Sequence, residues 1–244
     1  MLTREELERY DRQIRLFGVE AQEKLKRSRA LIVGLGGLGS PTAIYLAAAG
    51  VGELLLVDFE KVELSNLNRQ LLHWTKDLGR LKTESAAEKL KEINPHVSVE
   101  VFNVRADEEL LDELIRRADV ALDCVDNWET RFALNRVAVR HGKPFVHAGV
   151  RGMWGQLLVV VPGKTPCLNC LIPLPPREEA KLPMLGTTSG VMAALQATEA
   201  IKLLTGYGRP ALNKLVVYDG FSTEFSEIPV VRNPKCPICG SEKR

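Results

Sequence analysis

The stretch "LIVGLGGLGSPTAIYLAAAGVGELLLVD", Leu31 to Asp58, constrains this chain more than any other. A short apolar run ends at Gly34, an Ala-rich segment runs from Gly37 to Ala49, and a second apolar run ends at Asp58. Short runs without polar alternation read as buried strands, and the segment between them reads as a helix stopped by Gly50. Two buried strands joined through one helix make a right-handed parallel unit. Gly34, Gly36 and Gly39 set G-x-G-x-x-G at the turn into that helix. Gly34 permits the tight turn, the following glycines let backbone N–H groups approach a phosphate, and the helix N-terminus adds a favourable partial charge. Asp58 stands 19 residues beyond Gly39, where a carboxylate can accept hydrogen bonds from ribose hydroxyls. The pattern specifies a nucleotide with ribose and phosphate. It does not separate a nicotinamide dinucleotide from other nucleotides.

The same rhythm continues. "KTESAAEKLKEI" reads as a helix stopped before Pro95, "VSVEVFNV" as a strand, "DEELLDELIRRA" as an amphipathic helix and "DVALDCVD" as a strand. "NWETRFALNRVAVRHG" is a helix capped by Asn127, and "KPFVHAGV" is a fifth strand. Two short helices, around 4–16 and 19–26, precede the first strand. After Arg151 the rhythm changes: "WGQLLVVVPG" follows at once, so an antiparallel strand is expected. A Pro-rich, charged segment, "PLPPREEAKLPMLG", reads as an exposed, mobile crossover. A long helix over 188–204 and two strands, "LVVYD" and "FSEIPV", complete the sheet. The expectation is an α/β, Rossmann-like doubly wound, mostly parallel sheet extended by antiparallel C-terminal strands. One domain is expected: N-terminal helices over 1–28, a nucleotide-binding core over 29–150 and an antiparallel extension over 151–244.

Thirty-three basic and 31 acidic residues leave a net charge of +2, which gives no electrostatic case for nucleic acid or membrane as partner. No apolar run approaches the roughly 18 residues that span a bilayer. The N-terminus, "MLTREELERYDRQIRLFGVE", is charged and helix-like rather than a secretory signal. A cytoplasmic protein is the expectation. Four of the five cysteines form two C-x-x-C pairs, Cys167/Cys170 and Cys236/Cys239. The pairs fit a closed, structural Cys₄ zinc site that pins the C-terminal tail to the loop after the sixth strand, with redox or disulfide use as the alternative. Cys124 reads as a small apolar residue at a strand end. The histidines at 73, 96, 141 and 147 show no ligand or triad spacing and read as structural or surface residues.

The stretch after Asp58, "FEKVELSNLNRQLLHWTKDLGRLKTE", bears on which nucleotide is held. Asn66, Asn68, Arg69 and Gln70, followed by Lys82 opening a helix, exceed what a pyrophosphate needs and suit a triphosphate. An arginine and a lysine brought to one phosphate cluster provide charge-assisted hydrogen bonds and stabilise a leaving pyrophosphate.

Taken together, "RYDRQIRLFG", "LIVGLGGLGS", "LVDFEKVELSNLNRQ", "GRLKTE", "DCVDN" and "SGVMAALQATEAIKLLTG" resemble the MoeB/ThiF family, relatives of ubiquitin-activating enzymes. Members of that family adenylate the C-terminal glycine of a small ubiquitin-like sulfur carrier such as MoaD or ThiS. The resemblance implies ATP, Mg²⁺ and a protein substrate ending in Gly-Gly. It implies that Gly34, Gly36 and Gly37 line the nucleotide and that Asp58 holds the ribose. Asn66, Asn68 and Arg69 then lie along the phosphates, with Ser65, Gln70 and Asn127 in the same nucleotide-binding set. Lys82 meets the phosphates from its helix, Asp126 holds Mg²⁺, and Arg12 reaches the phosphates of a neighbouring subunit, which requires a homodimer. It also supports zinc at the four paired cysteines. One departure is visible: family members often carry a cysteine in the crossover, where this chain has Glu179. With the paired cysteines on zinc and Cys124 buried, no nucleophilic thiol remains. Adenylation without a thioester on this chain is expected, and sulfur is expected from a separate donor, because no rhodanese-like segment is present. Alternatives are a relative that adenylates a small molecule, a peptide or a tRNA adduct, a scaffold without chemistry, and, less in keeping with "SNLNRQ", an NAD-dependent oxidoreductase.

Overall fold

The computed structural model of the protein describes residues 1–177 and 183–241. Its centre is an eight-stranded sheet. The strands are β1 (Arg29–Val33), β2 (Glu53–Val57), β3 (Ser98–Phe102), β4 (Val120–Asp123), β5 (Phe145–Arg151), β6 (Trp154–Val160), β7 (Lys214–Asp219) and β8 (Glu224–Pro229). The order is β3-β2-β1-β4-β5-β6-β7-β8. The first five strands pair in parallel, and β6, β7 and β8 add on antiparallel. The expected α/β class and both halves of the sheet are therefore present.

The connecting helices are α1 (Arg4–Arg9), α2 (Asp11–Arg27), α3 (Gly39–Ala49), α4 (Lys82–Ile93), α5 (Glu108–Arg117), α6 (Trp128–Arg140), α7 (Leu168–Leu171) and α8 (Gly186–Thr205). The apolar side chains of β1 point alternately to two cores. Ala30 and Ile32 pack with Leu46, Ala47, Met192 and Ala193 of α3 and α8, whereas Leu31 and Val33 pack with Leu111, Leu114, Leu134 and Val137 of α5 and α6. Burial on both faces explains why β1, β2 and β4 lack polar alternation, whereas β3, at the sheet edge, alternates.

Local differences from the sequence reading have local causes. The N-terminal helices break at Tyr10, which is buried and whose hydroxyl accepts a hydrogen bond from Asn94 Nδ2 at 2.7 Å, as well as at Gly18 (φ 84°). The helix expected from residue 37 starts at Gly39, because Gly36–Leu38 are spent on the turn. The short helix α7 was not expected; it is the helical turn inside "CLNC". Of the expected mobile crossover, residues 178–182, Glu179 among them, lie outside the described residues. On its far side, Gly152 N–H donates to Pro183 O at 2.6 Å and Leu185 N–H to Gly152 O at 3.1 Å, tying the start of α8 to the β5–β6 turn. Among the described residues no helix is long and apolar enough to cross a membrane.

Candidate active site

Strand order reverses at β1, with β2 on one side and β4 on the other. In open parallel sheets the ligand crevice lies there, beyond the strands' carboxyl ends. The glycine turn leaves β1 at this point, and residues 124–127 leave β4 beside it. Gly34 has φ 91°, and a Cβ on it would lie 2.6 Å from Cys124 O. A Cβ on Gly39 would lie 1.8 Å from Gly34 O, so the third glycine lets α3 close onto the turn. Gly36 is different. Around its hypothetical Cβ the nearest atom within 4 Å is Gln70 Nε2 at 3.6 Å. The backbone there faces open space, as a phosphate cradle requires.

Asp58 terminates β2 and is nearly buried. One carboxylate oxygen accepts from Leu35 N–H at 2.7 Å and the other from Glu60 N–H at 2.8 Å. Burial pushes its pKa up, against the pull of the nearby Lys82 ammonium. The carboxylate is thus fastened to the glycine turn, with lone pairs remaining for ribose hydroxyls.

Lys82 opens α4 with a buried side chain, and its ammonium lies 2.5 Å from Glu60 Oε2. The partner carboxylate is half exposed, so a phosphate can take its place without leaving a charge stranded in the core. Arg69 Nη1 donates to Ser65 O at 2.8 Å and Asn68 Oδ1 at 3.1 Å. Its Cδ lies 3.4 Å from the Cβ position of Gly37. Arg69 therefore reaches the glycine turn, whereas Ser65 is exposed and hydrogen-bonds Glu63. Asn66 Oδ1 is occupied by Glu63 N–H at 3.0 Å, which holds the loop's shape. Gln70 is buried beside Gly36, and its Oε1 has no hydrogen-bond partner among the described residues. An orphaned acceptor next to an open glycine is what a ligand's donor would satisfy.

Asp126 is exposed on the loop after β4, and Asn127 caps α6 by accepting from Thr130 N–H at 2.9 Å. Arg12 is exposed on α2. Four participants escaped the sequence reading. Met184 Sδ, just before α8, and Ser189 Oγ, in its first turn, lie 3.3 Å and 3.2 Å from the Cβ position of Gly37. Gly186 lets that helix approach Asn68 O, which a Cβ would meet at 2.6 Å. Glu60 is the fourth. "MLGTTSG" alone carries a helix-start signal and no sign of where the helix docks.

The paired cysteines meet at a second place. Cys167 Sγ lies 3.7 Å from Cys236 Sγ, Cys170 Sγ lies 3.3 Å from Cys239 Sγ, and all four sulfurs lie within 4.8 Å of one another. Four thiols around one point, from two C-x-x-C turns, fit tetrahedral Zn²⁺. Cys124 is buried, its thiol donates to Gln196 Oε1 at 3.2 Å, and burial followed by the Asp123 carboxylate pushes its pKa far up. It cannot present a thiolate. The Cys124→Ser variant is expected to keep its adenylation rate within about twofold, because serine preserves both the size and the donor. Steady-state kinetics check this, and a large loss in a folded variant would refute a thiol-independent reaction.

A crevice with a glycine turn, a buried carboxylate and two cations at the switch point of a doubly wound α/β sheet has the makeup of a nucleotide site. The chain belongs to the ThiF family, whose model matches residues 10–238. It is 44% identical over 245 residues to the molybdopterin-synthase adenylyltransferase of Escherichia coli strain K12, covering 98% of each chain. It is 41% identical over 252 residues to the sulfur carrier protein adenylyltransferase of Thermus thermophilus, covering 98% of this chain and 93% of the relative. Among solved structures, E. coli MccB with ATP superimposes with a TM-score of 0.86 at 28% identity, covering 95% of this chain and 73% of that one.

Proposed function

We infer that the chain is an ATP-dependent adenylyltransferase that joins AMP to the C-terminal glycine of a ubiquitin-like sulfur-carrier protein. Full-length identity of 44% to a molybdopterin-synthase adenylyltransferase carries this reading. The crevice supplies the chemistry. A C-terminal carboxylate is ionised at neutral pH, since its ordinary pKa is about 3.5, so no general base is needed. The carboxylate oxygen attacks the α-phosphorus of ATP, a new P–O bond forms, and the bond to the bridging oxygen breaks with release of pyrophosphate. Catalysis is then positioning plus charge neutralisation. Arg69 and Lys82 bind the phosphates, Asp58 orients the ribose, and Asn68 and Gln70 complete the cradle. Asp126 is the residue that would hold Mg²⁺; a hard carboxylate exposed at the strand end suits that cation, which when bound neutralises phosphate charge.

Arg12, exposed on α2, is proposed to reach the phosphates of a second copy in a homodimer. Zn²⁺ held by Cys167, Cys170, Cys236 and Cys239 is proposed to be structural, and the whole chain is proposed to act as one domain. The acyl-adenylate would pass to a separate sulfur donor for thiocarboxylate formation. The likeness to MccB favours, as a second reading, a different acyl substrate on the same nucleotide site. The test is ATP–pyrophosphate exchange with purified carriers ending in Gly-Gly. Exchange is expected with a full-length carrier and none with a carrier lacking its final glycine; exchange indifferent to that truncation would sink the carrier reading.

A further inference from the structure

Beside the crevice lies a buried polar cluster that the reaction as described does not use. Asp123, the last residue of β4, is fully buried in an otherwise apolar strand. On the α6 face of the sheet its carboxylate meets His147 Nδ1 of β5 at 2.7 Å. Arg131 Nε of α6 lies 2.9 Å away, in charge contact without an aligned hydrogen bond. Gln156 Nε2 of β6 lies 3.1 Å from His147 Nε2. An amide donor on Nε2 and a carboxylate on Nδ1 select the neutral imidazole with its proton on Nδ1. The Asp123 carboxylate also accepts from Val125 N–H at 3.3 Å, and Arg131 Nη2 donates to Val125 O at 2.5 Å while stacking 4.7 Å over the Trp128 ring. On the opposite face, Gln196 Nε2 of α8 donates to Asp123 O and to Val146 O, both at 2.9 Å.

A buried ion pair of this kind is weak evidence for stability, since packed apolar residues of similar volume serve as well. What this cluster does specifically is hold both backbone polar groups of Val125 and the carbonyl of Asp123. These flank the turn that carries Cys124, on which Gly34 rests, and Asp126. We propose that Asp123, Arg131, His147 and Gln196 are positioning residues that clamp the 124–127 loop from both faces of the sheet and so set Asp126 against the glycine turn. This rests on the adenylyltransferase reading above. None of the four is assigned a contact with nucleotide or carrier.

The decisive variant is His147→Leu, which removes the Nδ1–H donor but leaves Arg131 to compensate Asp123. His147→Asn restores a donor at the position of Nδ1. Outer-sphere partners of metal-holding carboxylates typically contribute 10–100-fold to metal affinity. In His147→Leu the Mg²⁺ concentration that half-saturates ATP–pyrophosphate exchange should rise about tenfold, and Mn²⁺ affinity of the protein–ATP complex, read by electron paramagnetic resonance, should fall in step. ATP affinity in excess EDTA should stay within about twofold, and His147→Asn should recover most of the metal response. If His147→Leu does not fold, Gln156→Leu, which removes only the outermost member, is expected to shift the same two metal readouts in the same direction. A lowered melting temperature with unchanged Mg²⁺ and Mn²⁺ responses would show a purely structural cluster and overturn the proposal. Absence of exchange in the unaltered protein with every carrier would overturn the adenylyltransferase reading, and the clamp with it.

Discussion

Lys82→Ala and Arg69→Ala are each expected to lower the rate of adenylate formation by about 10²–10³-fold, the range for removing one preorganised group that stabilises transition-state charge. In the proposed reaction no proton has to move, so the burden falls on positioning and on neutralising the charge that builds on pyrophosphate as it leaves. Lys82 reaches the crevice from the first turn of α4 and is prevented from straying by the packing around its stem. Arg69 reaches it from the loop on which α8 rests. Neither substitution should unfold the protein. Arg69 is partly buried and, among the described residues, hydrogen-bonds only within its own loop, and Glu60 is half exposed, so it can be solvated once its lysine is gone. Lys82→Arg is not a rescue: a planar fork replaces a compact point charge in a closed space. Exchange kinetics beside thermal unfolding check all three variants. Wild-type rates in either alanine variant would remove that residue from the phosphate site.

What was legible in the sequence was what short-range physics dictates. The alternation of apolar runs and helical segments located the five parallel strands: burial on both faces makes β1, β2 and β4 continuous apolar runs, while the edge strand β3 showed as the alternating "VSVEVFNV". The glycine turn and Asp58 were legible because their spacing is set within one strand–helix–strand unit. The meeting of Cys167, Cys170, Cys236 and Cys239 was legible because thiols in two C-x-x-C pairs share one chemistry. Long-range placement was not legible. Nothing local to Met184 or Ser189 says that α8 begins against Gly37, and nothing in "DFEKVE" says that Glu60 will hold Lys82. The Asp123 cluster had a partial signal: a carboxylate in the middle of "VALDCV", a strand buried on both faces, must find a cation or donors. His147 was read as structural or surface, and its burial fits the first of these. Its partners come from β4 and β6, which only the fold brings together.

Removing zinc should produce the largest change in stability, and the reason lies in how little else holds the tail. Every residue of β8 is exposed. Beyond it, the described chain is fastened by buried Val230, whose N–H donates to Asn213 O at 2.9 Å, by Arg232 Nη1 donating to Gly163 O at 3.2 Å, by Asn233 N–H donating to Cys170 Sγ at 3.4 Å and by the two cysteines themselves. On the other side of the cysteine cluster, α7 is tied into the core: Leu168 is fully buried and its N–H donates to Asn135 Oδ1 of α6 at 3.0 Å. The cation would therefore join a loose segment to a fixed one, which is where a cross-link contributes most. Cys236→Ser is expected to lower the melting temperature by about 10 °C, taking roughly 3 kcal/mol lost at 2–4 °C per kcal/mol for a chain of this size. Elemental analysis is expected to give about one zinc per unaltered chain and little for the variant. None of the proposed phosphate ligands lies in the cysteine turns, so the zinc-free protein should still bind ATP below its lowered midpoint. A Cys236→Ser protein with unaltered stability, or an unaltered chain purified without zinc but with one or two disulfides, would assign the cysteines to redox chemistry instead.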